Sequence, residues 1–254
     1  MASVVNVHFL PNLTSPQELA GRTVVVIDVL RATTTICTAL GNGAAKIIPC
    51  LEVEETMNLA ANARQLGKAV LLGGERNGLP LPGFDLGNSP TEYERTVVLG
   101  KTIYFSTSNG TKAMMGCVGA DQILMAGFVN ISAVVQRLMN HLDVNIVCAG
   151  THGLISREDV LLAGAIAWRL SVCHDHIECN DSARLAIDAW RSIAGDQISA
   201  DSLAGELRFS HGGANLVRIG HESDLMLAAD LDRWNFVPCL DQATWSIISV
   251  CENK

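Results

Sequence analysis

The chain repeats one pattern: a continuous apolar segment, a turn rich in Ser and Thr, a short helix of small residues, and a second apolar segment. The pattern occupies residues 22–49 and 101–127, and a looser copy covers residues 145–170. Continuous apolar segments are typical of parallel strands, whose sheets are covered by helices on both faces. The repeats therefore predict an α/β fold, a three-layer α/β/α arrangement with a mostly parallel sheet and repeated strand–loop–helix units.

The length and composition fit one domain. The chain has 254 residues, of which 48% are hydrophobic, enough to bury a large core. We predict a single domain over residues 1–254, with a smaller C-terminal part and a subdomain boundary near residues 173–180. The segment CHDHIEC at 173–179 matches no common zinc spacing, so we interpret it as a polar turn between helices.

Local patterns place further elements along the chain. Apolar periodicity predicts helices over residues 53–66, 129–141, 182–194, 201–208 and 215–219. Two apolar segments near the C-terminus, 235–240 and 244–250, are predicted strands. Because Pro238 has no N–H to donate, we expect these strands at a sheet edge.

The charge and hydropathy pattern exclude some classes of function. The net charge of −8 argues against nucleic-acid binding, which depends on Lys and Arg at the phosphates. A local group of Arg residues could still bind a small anionic substrate. No apolar run is long enough to span a bilayer, and the first residues do not resemble a signal peptide. We expect a cytoplasmic protein with no membrane partner, in which the eight Cys are reduced.

An unusual loop follows the apolar segment 69–72. Residues 73–90, GGERNGLPLPGFDLGNSP, contain too many Gly and Pro for a helix and enough apolar residues for a packed loop. Binding and catalytic residues concentrate on loops of this kind. Its polar residues Glu75, Arg76, Asp85 and Asn88 are therefore candidate site residues.

Three other strand ends carry polar residues where ligands of parallel α/β sheets bind. Asp28 and Arg31 follow the first, STSNGTK at 106–112 follows the second, and residues 151–159 follow the third. Carboxylates, Arg and a hydroxyl-rich helix start suit a Mg²⁺-bridged phosphate. Other interpretations stay open: an Asp28–Arg31 ion pair, plain helix capping by the Ser and Thr residues, and capping by Ser156 and Asp159.

Two histidines near glycines, His152 and His211, are interpreted as surface or hydrogen-bonding residues rather than general bases.

Several of these segments together resemble one known family. VVIDVLRATTTI at 25–36, the loop at 73–90 and STSNGTKA at 106–113 are similar to the 2-phosphosulfolactate phosphatase family. The similarity continues through residues 148–170 and, more weakly, from residue 209 to 238. The resemblance implies an α/β/α fold, Mg²⁺ dependence, a homodimer, and hydrolysis of (2R)-2-phospho-3-sulfolactate to 3-sulfolactate and phosphate, a step of coenzyme M biosynthesis.

The resemblance and the chemistry of the motifs assign roles to individual residues. We expect metal binding by Asp28, Glu75 and Asp85, and catalysis by Asp28, Glu75, Arg76 and Glu158. The expected substrate-binding residues are Arg31, Arg157, Ser106, Thr107, Asn109, Gly110 and Thr111, with Arg76 also near the anionic groups.

Two alternatives remain beside this function. One is a phosphatase for another small phosphorylated carboxylic acid, because THGLISRED at 151–159 and HGGANL at 211–216 depart from the family pattern. The other is a protein that binds anions without catalysis. Carboxylates beside a phosphate favour catalysis, since they would repel the phosphate unless a cation lay between them.

Overall fold

The computed structural model describes residues 3–173, 176–194 and 198–250. In these ranges the strands are β1 (Ser3–His8), β2 (Thr23–Ile27), β3 (Lys46–Pro49), β4 (Val70–Arg76), β5 (Leu79–Pro80), β6 (Thr102–Ser106), β7 (Gln122–Ala126), β8 (Asp143–Cys148), β9 (Ile177–Cys179), β10 (Val237–Asp241) and β11 (Ser246–Val250). The α-helices are α1 (Pro16–Leu19), α2 (Ala32–Gly41), α3 (Val53–Gln65), α4 (Arg95–Val98), α5 (Gly110–Met115), α6 (Ile131–Leu138), α7 (Arg157–Cys173), α8 (Asp181–Ala194), α9 (Ala200–Arg208), α10 (His211–Arg218) and α11 (Ser223–Ala228).

The strands form one mixed sheet in the order β5-β4-β6-β3-β11-β10-β7-β2-β8-β1-β9. Two parallel groups, β4-β6-β3 and β7-β2-β8-β1-β9, are separated by the antiparallel hairpin β10–β11. The predicted α/β class with a mostly parallel sheet is therefore confirmed.

The hairpin lies in the centre of the sheet, so its predicted place at an edge is wrong. β10 pairs with β7 only between Cys239 and Leu124, and β11 pairs with β3 only between Ile247 and Ile47. A strand paired this sparsely on one side tolerates Pro238, which cannot donate a ladder hydrogen bond.

These sparse pairings also change the direction of the sheet. Three successive antiparallel steps from β7 to β3 give the two parallel groups opposite senses. Their carboxyl ends nevertheless meet, because the segments that follow β2, β4 and β6 contact one another. The sheet must therefore turn strongly at the hairpin, more than the ordinary twist of about 20–25° per strand would require in a flat array.

Helices cover both faces of the sheet. All five residues of β2 are buried; Val25 and Ile27 pack with α6 to α11, and Val24 and Val26 pack with α1, α2, α4 and α5. Helix α3 covers β4 and β6 through a smaller cluster that includes Ala60 and Leu72. The three predicted layers follow from this alternation, since successive side chains of a strand point to opposite faces.

Some local predictions differ from the structure. Strand β4 continues through the glycines of the predicted loop to Arg76 and pairs with β5. Residues 177–179 of the predicted polar turn form the edge strand β9, whereas His174 and Asp175 lie outside the described residues. Helix α10 begins at His211, earlier than predicted, because the Ser210 side chain accepts a hydrogen bond from the Gly213 N–H.

Within the described ranges, the structure contains no helix with the length and hydropathy that crossing a membrane requires.

Candidate active site

Two adjoining cavities lie where the carboxyl ends of β2, β4, β6 and β8 meet. One, of about 300 Å³, is lined by Asp28 and Glu75 and is called the carboxylate chamber. The other, of about 580 Å³, is lined by Arg76 and Lys112 and is called the cationic chamber. The residues that line both chambers are Asn77, Ser108, Asn109 and His152. This is the place where open α/β sheets bind ligands.

Asp28 lies directly after β2 in the wall of the carboxylate chamber, and only 7% of the residue is exposed. Its Oδ1 accepts a hydrogen bond of 3.2 Å from the Ala32 N–H. Burial raises the pKa of Asp28 to about 7; the Ala32 N–H opposes this rise, and the charges of Glu75 and Glu158 add to it. Asp28 is therefore expected either to bind a proton or to lie beside a cation, because an isolated buried charge is costly.

Glu75 reaches the same chamber from β4. Its Oε2 accepts from the Gly78 N–H at 2.7 Å, and its Oε1 accepts from the Ser108 N–H at 2.8 Å. Gly74 precedes it with a φ of +143°, and a Cβ there would collide with the backbone of Ser106. The glycines of this motif thus let β4 approach β6 closely enough to place Glu75 beside the second motif.

Two further buried carboxylates stand behind Asp28 at the start of α7. Asp159 accepts from the Val29 N–H at 2.9 Å and from the Gly150 N–H at 3.0 Å, so it joins the ends of β2 and β8 rather than capping its own helix. Glu158 Oε2 has no hydrogen-bond partner among the described residues. Burial raises the pKa of Glu158 above its usual value and raises the pKa of Asp159 well above its usual value. These carboxylates create a region where protons or cations are strongly attracted.

Arg31 lines the carboxylate chamber but does not pair with Asp28. Its Nη1 donates to Asp224 Oδ2 at 2.7 Å, and its Nη2 donates to the Gly78 carbonyl at 2.7 Å. Asp224 belongs to α11 and also accepts from Ser89 Oγ at 2.6 Å. The alternative of an Asp28–Arg31 ion pair is therefore wrong, and the fully buried partner of Arg31 comes from the C-terminal helices.

The hydroxyl-rich motif surrounds the start of α5. Thr107 and Thr111 contact each other through their hydroxyl oxygens at 3.2 Å, and the Thr111 N–H donates to Thr107 Oγ1 at 3.3 Å. Asn109 does not cap the helix with its side chain; its Oδ1 accepts from the His152 N–H at 3.3 Å. A side chain at Gly110 would press against Asp28. Capping explains Thr107, whereas Asn109 faces both chambers.

Arg76 lies in the cationic chamber, at the side of the motif. Its Nη1 donates to the Glu75 carbonyl at 2.7 Å, and its Nη2 donates to the Leu51 carbonyl at 2.8 Å and to Ser106 Oγ at 2.9 Å. Neutral oxygens therefore hold the guanidinium in place and leave its charge uncompensated by these bonds. Ser106 is fully buried and serves as one of these anchors.

Six predicted site residues line neither chamber, namely Ser106, Gly110, Thr111, Glu158, Asp85 and Arg157, and ion pairs hold the last two elsewhere. Asp85 Oδ2 accepts from Arg64 Nη2 and from the Leu72 N–H, each at 2.7 Å, and so fastens the loop to β4. Arg157 is exposed and pairs with Glu206 of α9 at 2.5 Å. The expected metal ligand Asp85 and the expected substrate-binding residue Arg157 therefore lie outside the lining of both chambers.

Other lining residues were not predicted from the sequence. His152 lies at the boundary of the chambers, and His211, Asn215 and Arg218 extend from α10 into the carboxylate chamber. The sequence suggested a surface or hydrogen-bonding role for His152 and His211 rather than that of a general base, and the structure places both in the lining of the carboxylate chamber. The unusual HGGA at 211–214 was the available signal, because a helix with two successive glycines is unfavourable unless something approaches it closely.

The oxygen atoms that line the carboxylate chamber are suitable ligands for a Mg²⁺ ion. Asp28 and Glu75 supply carboxylate oxygens, and Asn88 in the same wall has an amide oxygen, Oδ1, that is buried without a partner in the described part of the chain. The described residues contain no group of three or more His, Cys, Asp or Glu around one point. Mg²⁺ is typically bound by one or two carboxylates, with water and phosphate oxygens completing the shell.

The sequence also matches known proteins over most of its length. The model of the 2-phosphosulpholactate phosphatase family matches residues 8–243. A probable 2-phosphosulfolactate phosphatase of Symbiobacterium thermophilum is 42% identical over 228 residues, 89% of this chain and 94% of that protein. Proteins of the same printed name from Thermotoga petrophila and Caldanaerobacter subterraneus are 41% and 36% identical, over 89% and 90% of this chain and 91% and 92% of theirs.

The match covers β2, the β4 loop, the α5 motif and the C-terminal helices, which together build the two chambers. The chain therefore belongs to the 2-phosphosulpholactate phosphatase family, a family of phosphoric monoester hydrolases.

Proposed function

We propose that this protein hydrolyses (2R)-2-phospho-3-sulfolactate to 3-sulfolactate and phosphate in a Mg²⁺-dependent reaction. Family membership supports the substrate, since its relatives carry that activity in their names. The observation that carries the metal dependence is the pair of buried carboxylates, Asp28 and Glu75, in one small chamber. A phosphate could not approach two carboxylates without a cation between them.

In this proposal, different residues of the carboxylate chamber bind the metal ion and orient its ligands. Asp28 and Glu75, with the Asn88 amide oxygen, would hold Mg²⁺, which neutralises charge on the phosphoryl oxygens. The Gly78 and Ser108 N–H groups orient the Glu75 carboxylate.

Asp224 and the Gly78 carbonyl hold the Arg31 guanidinium in one orientation in the chamber wall, so its N–H groups outside these two bonds could donate to a phosphoryl oxygen. Such preorganised hydrogen-bond donors lower the barrier of phosphoryl transfer without further reorganisation.

Glu158 is our candidate for proton transfer. It lies behind Gly212, a residue of the chamber wall, and any side chain at Gly212 would collide with its Oε1. Burial raises its pKa above the ordinary value of a Glu, which makes the carboxylate a stronger proton acceptor. Glycine at 212 keeps the path between Glu158 and the chamber open.

The test is phosphate release from 2-phospho-3-sulfolactate, 2-phospholactate and 2-phosphoglycerate, each with Mg²⁺ and with EDTA. The proposal expects Mg²⁺-dependent release with the highest kcat/KM for the sulfonated compound. Equal rates for all three would leave a phosphatase of small phosphorylated acids. No release from any of them would contradict catalysis and favour anion binding alone.

We also propose that the reaction is of the coenzyme M biosynthesis type. The protein would act in the cytoplasm as a homodimer. The apolar-rich composition supports association, and so does a set of large exposed apolar side chains that includes Phe209, Leu154 and Leu185. Light scattering during gel filtration tests the dimer, which predicts a mass twice that of the 27.1 kDa chain.

A further inference from the structure

The cationic chamber is larger than a metal and phosphate site requires. The carboxylate chamber of about 300 Å³ already contains the oxygen ligands, and the cationic chamber adds about 580 Å³ beside it. The wall between them is formed by four polar residues, so one small ligand can contact both. The cationic chamber therefore has room for a second group of the ligand, beside the phosphoryl group in the carboxylate chamber.

The charge of the cationic chamber is positive. Arg76 and Lys112 line it, and Glu52 is the one carboxylate among its described lining residues. In the structure as described, neither Arg76 nor Lys112 forms an ion pair with a carboxylate, unlike the cations paired elsewhere, such as Arg64 with Asp85. In a chain with a net charge of −8, two uncompensated cations in one cavity mark a place for an anion.

Arg76 is ready to bind such an anion. Three hydrogen bonds to neutral oxygens use its Nη2 hydrogens and one Nη1 hydrogen. The Nε–H and the second Nη1–H have no acceptor in these bonds, and they lie on a half-buried group whose orientation is fixed. A fixed guanidinium loses little conformational entropy on binding, so it recognises an oxyanion effectively.

Lys112 adds a second, movable charge. It belongs to α5, two residues after Gly110, and its exposed side chain makes no hydrogen bond or ion pair to a described residue. The ammonium can therefore follow an anion in the chamber without first breaking an existing contact.

We propose that the cationic chamber binds the sulfonate of the substrate through Lys112 and Arg76, while the phosphoryl group lies in the carboxylate chamber. This assignment rests on the proposed function. It makes Lys112 a residue that determines specificity, because its charge would act on the sulfonate and not on the reacting phosphorus.

The test compares Lys112→Met with the wild type on two substrates that differ only in the sulfonate, 2-phospho-3-sulfolactate and 2-phospholactate. We expect kcat/KM for the sulfonated substrate to fall about tenfold, mainly through KM, as for loss of one charge-assisted hydrogen bond. For 2-phospholactate we expect a change of less than about twofold, and Lys112→Arg should restore most of the preference. Lys68→Met, which removes an exposed Lys beyond α3, serves as the matched control.

Equal losses on both substrates would place Lys112 at the phosphate and overturn the assignment, as would no loss on either. Calorimetric titration with 3-sulfolactate and with lactate separates this outcome from failure of the phosphatase proposal. If no substrate is hydrolysed but Lys112→Met weakens 3-sulfolactate binding about tenfold, the sulfonate site stands and the activity does not. If 3-sulfolactate binds both proteins equally, or binds neither, the sulfonate site is contradicted.

Discussion

Burial of the Asp28 carboxylate at the site carries a cost to stability. A pKa of about 7 instead of 3.8 means that the native protein binds this proton more tightly than the unfolded chain. Between about pH 4 and 7, the contribution of Asp28 to stability therefore falls as pH rises. Above pH 7, the gap between the native and unfolded pKa values of Asp28 corresponds to a loss of about 4 kcal/mol in the free energy of unfolding.

We predict that Asp28→Asn raises the Tm of the metal-free protein at pH 8 by several degrees and changes it little at pH 5. Asn cannot ionise, so it avoids the cost of a buried charge above pH 7. Thermal unfolding in EDTA at the two pH values measures the effect. Added Mg²⁺ should raise the Tm of the wild type at pH 8 and leave that of the variant unchanged, since binding stabilises only the state that binds. A Tm difference independent of pH would contradict the burial of charge at Asp28.

The sequence identified the chemistry of some residues better than their partners. Asp28 and Glu75 could be selected because each carboxylate follows an apolar strand in a motif rich in glycine or hydroxyl residues. The partner of Arg31 could not, since Asp224 lies 193 residues further along the chain in an ordinary helix start. Asp85 was selected from the same loop as Glu75, and Arg157 from residues 151–159, but ion pairs with Arg64 and Glu206 hold them elsewhere.

Helix α11 contributes to the site through one buried ion pair. Asp224 of α11 has no exposed surface and neutralises Arg31, which is 4% exposed. Removing one member of a buried pair leaves an unpaired charge, which costs more than the pair itself contributes. Helix α11, which lies outside the sheet, therefore positions the Arg31 guanidinium in the wall of the carboxylate chamber.

Asp224→Asn should lower the free energy of unfolding by about 3–5 kcal/mol, because Arg31 would stay buried without its carboxylate. Urea unfolding monitored by circular dichroism measures this change. Asp230→Asn is the control: it removes an exposed pair with Arg233 and should cost less than about 1 kcal/mol. Similar losses in both variants would show that the Arg31 pair is not buried as described.

Helices α7 and α8 pack closely because of Gly164. A Cβ at this position would collide with the backbone carbonyl of Ala186, so the two helices approach at a residue without a side chain. We predict that Gly164→Ala destabilises the protein by about 1–3 kcal/mol through overpacking. Gly205→Ala in α9, where a Cβ meets nothing within 4 Å, should instead stabilise it by up to about 1 kcal/mol. Stabilisation by both substitutions in thermal or urea unfolding would contradict the close helix contact.

Secondary structure was predictable where the pattern is local. The repeated units gave strands and helices in the observed order, and the helix over residues 53–66 is α3 almost to the residue. The start of α10 was missed because Gly212 and Gly213 lower helix propensity, and only the cap at Ser210 marked it.

The whole molecule depends on a hairpin that comes last in the chain and lies in the centre of its sheet. β10 and β11 join two parallel groups that run in opposite senses. This topology could not be predicted, because pairing between strands distant in sequence leaves no local pattern. Pro238 pointed to an edge, and the sparse pairing around it explains why it lies in the interior.

Ile247→Ala should lower the free energy of unfolding by about 2–5 kcal/mol, since its side chain is fully buried opposite Ile47. The neighbouring Ile248 is 38% exposed, so Ile248→Ala in the same strand should cost less than about 1.5 kcal/mol. Urea unfolding of the two variants measures the contrast. Equal and small losses would mean that the hairpin is appended to an edge of the sheet rather than inserted in it.

We propose that the carboxylates at the meeting point of the strands make this chain a Mg²⁺-dependent phosphatase. The most direct measurement is the rate of phosphate release from 2-phospho-3-sulfolactate at saturating Mg²⁺ by the wild type, Asp28→Asn and the control Asp230→Asn. We predict a loss of about a thousandfold or more in kcat for Asp28→Asn, with a folded protein, and a change of less than about twofold for the control. Retention of more than about a tenth of the wild-type rate by Asp28→Asn would contradict the account.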